Sequence, residues 1–240
     1  MRPGNVTAVA RRELGFYFAS PIAYSVLTVF LVGAGVWLFV GTDFFEMNRA
    51  TVRPLFEVVP IIFAVVLPAV TMRLISEEKR SGTMELLITM PVTDGDIVLG
   101  KYLASLTFLL ILLAMSAIFP LIVSTLGDLD GGLVLAGYVG LFLVGASYLA
   151  LGLMTSTWTR YQILAFFLAA VLALFFYSVN GLLALAWEGA RDTFAFLSVK
   201  THFANIARGV IDTRDVVFYL SLIAVPLVIA VQSLQSRNWK

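Results

Sequence analysis

Cysteine is absent from this chain, and histidine occurs once, at His202. The first absence excludes disulfides, iron–sulfur ligation and thiol catalysis, and leaves the redox compartment open. The second excludes a histidine-based zinc site built within one chain. Charge is scarce too: Asp, Glu, Lys and Arg make up 13% of the 240 residues, against about 25% in an ordinary soluble domain. A formal net charge of +1 offers no electrostatic footprint for nucleic acid. The first twenty residues carry Arg2, Arg11, Arg12 and Glu13, with no unbroken apolar core of the kind a cleavable signal peptide needs.

What fills the chain instead is apolar sequence, 60% of all residues. A helix rises about 1.5 Å per residue, so roughly 20 apolar residues cross a bilayer. Six windows meet that requirement, at about 22–41, 57–74, 102–126, 132–154, 163–186 and 216–234. The second is the weakest, with Glu57 at one end and Arg73 at the other. Pro60, Pro68, Pro120 and Pro226 fall inside windows, which membrane helices tolerate when neighbours satisfy the freed carbonyls. The expected fold is therefore all-α, a polytopic membrane protein with six transmembrane helices, the whole of 1–240 forming a single transmembrane domain. Six spans put both termini on one side. With the N-terminus inside, cytoplasmic segments hold ten of the sixteen Lys and Arg residues, the better orientation on charge. The windows carry no charge away from their ends, which disfavours an ion-coupled carrier; Asn180, the most polar residue at depth, is read as glue between helices.

Three polar elements interrupt this pattern. At about 5–20, Val6, Val9, Ala10, Leu14, Tyr17 and Phe18 fall at helical spacing, with Arg11, Arg12 and Glu13 on the other side. That describes an N-terminal amphipathic helix along the inner surface, ended by Ser20-Pro21. At about 75–96 dense charge lies between two apolar windows. A short helix is expected from Glu77 to Thr89, with Gly82 a weak point or a break. Thr93-Asp94-Gly95-Asp96 then has the form of a helix N-cap. In the outer loop at about 187–215, Phe203, Ile206, Ala207, Val210 and Ile211 recur at amphipathic spacing, with His202, Asn205 and Arg208 facing elsewhere and Gly209 loosening the turn.

Gly95 to Lys101 matches the G-x-x-x-x-G-K spacing of a phosphate-binding loop. Tyr102 follows where a Ser or Thr should bind magnesium, and no strand precedes it, so the match is accidental. The chain is not expected to be an enzyme or to hydrolyse ATP.

Taken together, these stretches resemble the ABC-2 type permeases, the membrane subunits of ATP-binding-cassette exporters of type V architecture. Ala10-Arg11-Arg12-Glu13-Leu14 with Tyr17-Phe18-Ala19-Ser20-Pro21 is similar to the family's elbow helix. Glu77 to Leu87, followed by Pro91-Val92, is similar to its E-x-x-x-G-T-x-E-L-L…P signature, and Gly100-Lys101 recurs at the entry to the third span. His202-Phe203 and Arg208-Gly209-Val210-Ile211-Asp212 resemble the gliding-motility-associated branch. The resemblance implies a half-transporter in the inner (cytoplasmic) membrane with both termini cytoplasmic. It would pair with a second permease, in a homodimer or heterodimer, and be driven by separate ATPase subunits that hold the ATP and magnesium. It places Glu77, Gly82, Thr83, Glu85 and Leu86 in a cytoplasmic coupling helix docked on the ATPase. Arg11, Arg12 and Glu13 fall in the elbow, and His202, Phe203, Arg208 and Gly209 near an outer gate. An ion-coupled carrier and a membrane scaffold of a larger assembly are the alternative readings.

Overall fold

Six long apolar helices carry the fold. The computed structural model describes residues 3–42, 44, 51–83, 92–184, 196–210 and 212–236. Among them are ten helices and no strand. These are α1 (Pro3–Ala19), α2 (Pro21–Phe39), α3 (Arg53–Thr71), α4 (Ser76–Ser81), α5 (Asp94–Ser116), α6 (Ile118–Leu126), α7 (Gly131–Trp158), α8 (Gln162–Ala184), α9 (Val199–Ile206) and α10 (Thr213–Gln235). Six segments are long and apolar enough to cross a membrane: Pro21–Phe39, Arg53–Ser81, Asp94–Leu126, Gly131–Trp158, Gln162–Gly181 and Thr213–Gln235. The weak second window is thus a full span.

Local chemistry sets the helix ends. Ser20 caps α2, its hydroxyl accepting from the Ile22 amide at 3.4 Å, with Pro21 in the first turn where no amide is missed. Thr93 and Asp96 form the expected cap as a reciprocal capping box, each side chain accepting from the other's amide at 3.2 Å. That cap starts α5 eight residues before the apolar window opens, so Lys101 lies two turns inside the helix and is buried. The expectation of windows free of charge therefore does not extend to whole helices. The third span breaks at Ala117, between α5 and α6, and Pro120 falls in the first turn of α6.

α7 is the hub. It packs against α3, α5, α8, α9 and α10 and touches α4. Small residues let it do so: Gly137 lies against Phe56 of α3, Gly145 against Leu109 of α5 and Gly152 against Thr71 of α3. A Cβ added at Gly145 would stand 2.8 Å from Leu109. Large apolar side chains such as Val29, Leu135, Ile163 and Val217 point outward from the bundle.

Candidate functional site

The charged end of the bundle is organised around α4. Its first turn carries Glu77 and Glu78 and its last carries Lys79 and Arg80, an order that complements the helix dipole. No side chain of its own segment caps it. The cap comes from α7: Ser156 Oγ accepts from the Ile75 and Ser76 amides at 3.0 and 3.1 Å and donates to the Met72 carbonyl at 3.3 Å. One hydroxyl thus uses its proton and both lone pairs. Lys79 Nζ adds a bond to the Thr157 carbonyl, and Ser76 Oγ donates to Met72. Gly82, at φ 72°, ends the helix in the left-handed region that glycine enters without cost. Of the helix expected from Glu77 to Thr89, the first part ends at Ser81, broken at Gly82, and residues 84–89 lie outside the described residues. Thr83 bonds Ser81 through their hydroxyls at 2.8 Å, while Glu85 and Leu86 lie outside the described residues.

Four ionised side chains join α4 to two other elements. Lys101 Nζ of α5 donates to Glu13 Oε1 of α1 and to Glu78 Oε1 of α4, each at 2.9 Å. Arg12 Nη2 reaches the same two oxygens at 3.1 Å. Lys101 is 1% exposed and Arg12 42%, so the cluster has a dry core and a wet edge. Two cations face two carboxylates, which removes most of the cost of burying Lys101. The close approach depends on Gly100: a Cβ there would stand 2.7 Å from Val9 Cβ on α1.

This arrangement corrects the reading of α1. Helical spacing puts Glu13 on the polar side with Arg11 and Arg12, yet it is buried at 8% exposure, whereas both arginines stay exposed. Periodicity within one helix cannot register a lysine 88 residues away. Lys101, Ser156 and Arg73 are the residues that sequence reasoning did not place at the site. Only Gly100-Lys101 left a signal, as a pair at the head of the third span.

Beside the cluster, a cleft of about 610 Å³ opens between α1, the start of α2, the end of α3 and α4. Its walls are mostly apolar, including Phe16, Ile22, Val70 and Leu74, and Glu77, Glu78, Thr83 and Lys101 border it. Arg73 Nη1 donates to Ser20 Oγ at 3.1 Å. The Tyr17 hydroxyl is buried with no hydrogen-bond partner among the described residues. Burial first, and then the Glu13 carboxylate, push it well above the usual phenol range, only partly offset by Arg73, so it stays a neutral donor.

At the opposite end, α9 meets the head of α10. His202 Nδ1 lies 2.6 Å from Asp215 Oδ1, and Nε2 donates to the Phe196 carbonyl at 2.8 Å. The ring stacks on Phe218 at 4.1 Å between centroids. His202 is therefore buried, not turned away from the bundle as its spacing suggested, because its polar atoms find partners inside. Phe203 and Ile206 are buried as expected, against Gly140 of α7. Val210 is not: the helix has already closed. The Gly209 amide bonds Ile206 and the Val210 amide bonds Asn205, with Gly209 at φ 86°, a Schellman closure. Arg208 is exposed, and Ile211 lies outside the described residues. Asn180 does tie helices, donating from α8 to Thr201 of α9 at 3.3 Å. Asp212 caps α10, and the Arg214 amide it accepts from holds its carboxyl below the usual range.

Residues 26–239 match the family described as ABC-2 family transporter protein. The chain belongs to the ABC-2 transporter family. Six apolar helices and this membership make it a multi-pass membrane protein, a transporter permease whose family is not itself catalytic. No curated protein matches this ABC-2 chain significantly. The residues of the G-x-x-x-x-G-K match do not form a nucleotide site in it. Gly95 to Lys101 is helical, Thr93 and Asp96 engage the terminal amides, and Lys101 is held by two carboxylates.

Proposed function

We propose that this chain is the membrane-spanning subunit of an ATP-driven exporter, seated in the inner membrane with both termini cytoplasmic. A second permease completes the substrate path, and separate ATPase subunits bind the ATP and magnesium. The ATPase docks on α4 and the following segment, where Glu77, Gly82, Thr83, Glu85 and Leu86 form the coupling element. The elbow is α1, with Arg11, Arg12 and Glu13. The likeness of the pattern around His202-Phe203 and Arg208-Gly209 supports reading the chain as one of the gliding-motility-associated branch, with α9 near the outer gate.

One observation carries this reading. α4 is only six residues long, yet it is bonded to three other elements, α1 and α5 through the ion cluster and α7 through Ser156 and Thr157. A push on α4 therefore reaches the bundle as a rigid displacement rather than dissipating in a loop. The lone-carrier alternative has no equivalent use for such a clamp. The test is purification of the tagged full chain from its native host in mild detergent. An ATP-binding-cassette ATPase is expected in stoichiometric amount, lost in Glu85→Arg while the permease remains inserted. An intact, folded chain that brings no ATPase, or a Glu85→Arg chain that keeps it, overturns the proposal.

A further inference from the structure

The cleft beside the ion cluster has chemistry that the cluster does not use. Of its six charged lining residues, Arg12 and Lys101 are neutralised by Glu13 and Glu78, which leaves one cation, Arg73, and one anion, Glu77. Arg73 is half-buried, with a single side-chain hydrogen bond to Ser20 and no ion pair among the described residues. Two buried polar atoms at the cleft have no hydrogen-bond partner among the described residues: the Tyr17 hydroxyl and Glu78 Oε2. Such atoms are costly unless something binds them. The first, with Arg73, presents donors. The second, with Glu77, presents acceptors. The remainder of the wall is apolar, and the cleft lies where α2 begins and α3 ends, at the boundary between apolar spans and charged segments.

We propose that this cleft binds a phospholipid with a primary-amine, zwitterionic headgroup, of the phosphatidylethanolamine class. The phosphate accepts from Arg73 and Tyr17. The ammonium donates to Glu78 Oε2 and Glu77, and the acyl chains lie along Phe16, Ile22 and Val70. A trimethylated amine has no N–H to donate, so phosphatidylcholine leaves Glu78 Oε2 unsatisfied. An anionic phosphatidylglycerol supplies no positive charge for Glu77. About 610 Å³ is in the range of sites that enclose a small molecule or headgroup. The proposal does not depend on ATPase docking and is tested without an ATPase.

The experiment is lipid retention by the full chain, delipidated in detergent and then titrated with phosphatidylethanolamine, phosphatidylcholine or phosphatidylglycerol, read by native mass spectrometry. The expected result is one retained phosphatidylethanolamine per chain, with the other two lipids about tenfold weaker, the loss of one charge-assisted hydrogen bond. Tyr17→Phe, which removes only the hydroxyl, and Arg73→Gln should each reduce retention of phosphatidylethanolamine and phosphatidylcholine alike, since both carry the phosphate, whereas Glu77→Gln should reduce phosphatidylethanolamine retention alone, toward the phosphatidylcholine level. Equal retention of all three lipids, a preference for phosphatidylglycerol, or unaltered phosphatidylethanolamine binding in Tyr17→Phe overturns the proposal. Tyr17→Phe keeps the test decisive should Arg73→Gln fail to fold.

Discussion

The two ends of the bundle both bury ionisable pairs, but they use them differently. At the charged end, the cluster joins residues 66 and 88 positions apart in sequence, on three separate helices, and one of its members faces water. At the opposite end, His202 and Asp215 are 13 positions apart and both are buried, with Phe218 stacked on the His202 ring and Phe196 edge-on to it. The first arrangement holds distant elements in register and keeps a short helix attached to the bundle. The second closes a local corner. A buried pair that spans the chain conveys displacement between elements; one that spans a turn only shapes that turn.

Removing the central cation should separate the two ends most clearly. Lys101→Met leaves Glu13 and Glu78 with only the part-exposed Arg12 between them, at a cost of about 3 kcal/mol, measured by chemical unfolding in mixed micelles. It should also expose α1 to trypsin at Arg11 and Arg12. Adding Glu13→Gln and Glu78→Gln should recover most of that stability, since no uncompensated charge then remains buried. The next effect is at the other end. His202→Phe keeps the stack on Phe218 but removes the hydrogen-bond partner of Asp215 and of the Phe196 carbonyl, costing about 1–3 kcal/mol without altering tryptic cleavage of α1. Equal sensitivity of α1 in both variants would remove the distinction between a long-range clamp and a local corner. The smallest change is Arg12→Ala. Its side chain is part-exposed and screened by water, so stability should shift by no more than about 1 kcal/mol.

Much of the fold was legible because it rests on short-range signals. The apolar windows are set by the length a bilayer demands, and six helices appear where six windows lie. Thr93 and Asp96 announce a helix start three residues apart, and Gly82 announces a stop, because caps and left-handed turns depend on one or two residue types. The candidate site was legible only as a charged stretch. That Glu13 turns inward, that Ser156 caps a helix 80 residues earlier and that His202 is buried are consequences of packing. Each requires a partner whose distance in sequence carries no periodic trace.

By itself the sequence determined the class of molecule: the number of spans, their approximate ends and the charged segment between the second and third. Those follow from hydrophobic transfer and from backbone hydrogen bonding, which act over a few residues at a time. Only the tertiary structure decided which charges meet. The ion cluster exists because α1 comes close to α5 at Gly100, and the cap that α7 lends to α4 and the cleft lined by Arg73 and Tyr17 likewise need distant helices in contact. Electrostatics in a dry site is strong only at contact distance, and contact between distant segments is a property of the packed chain.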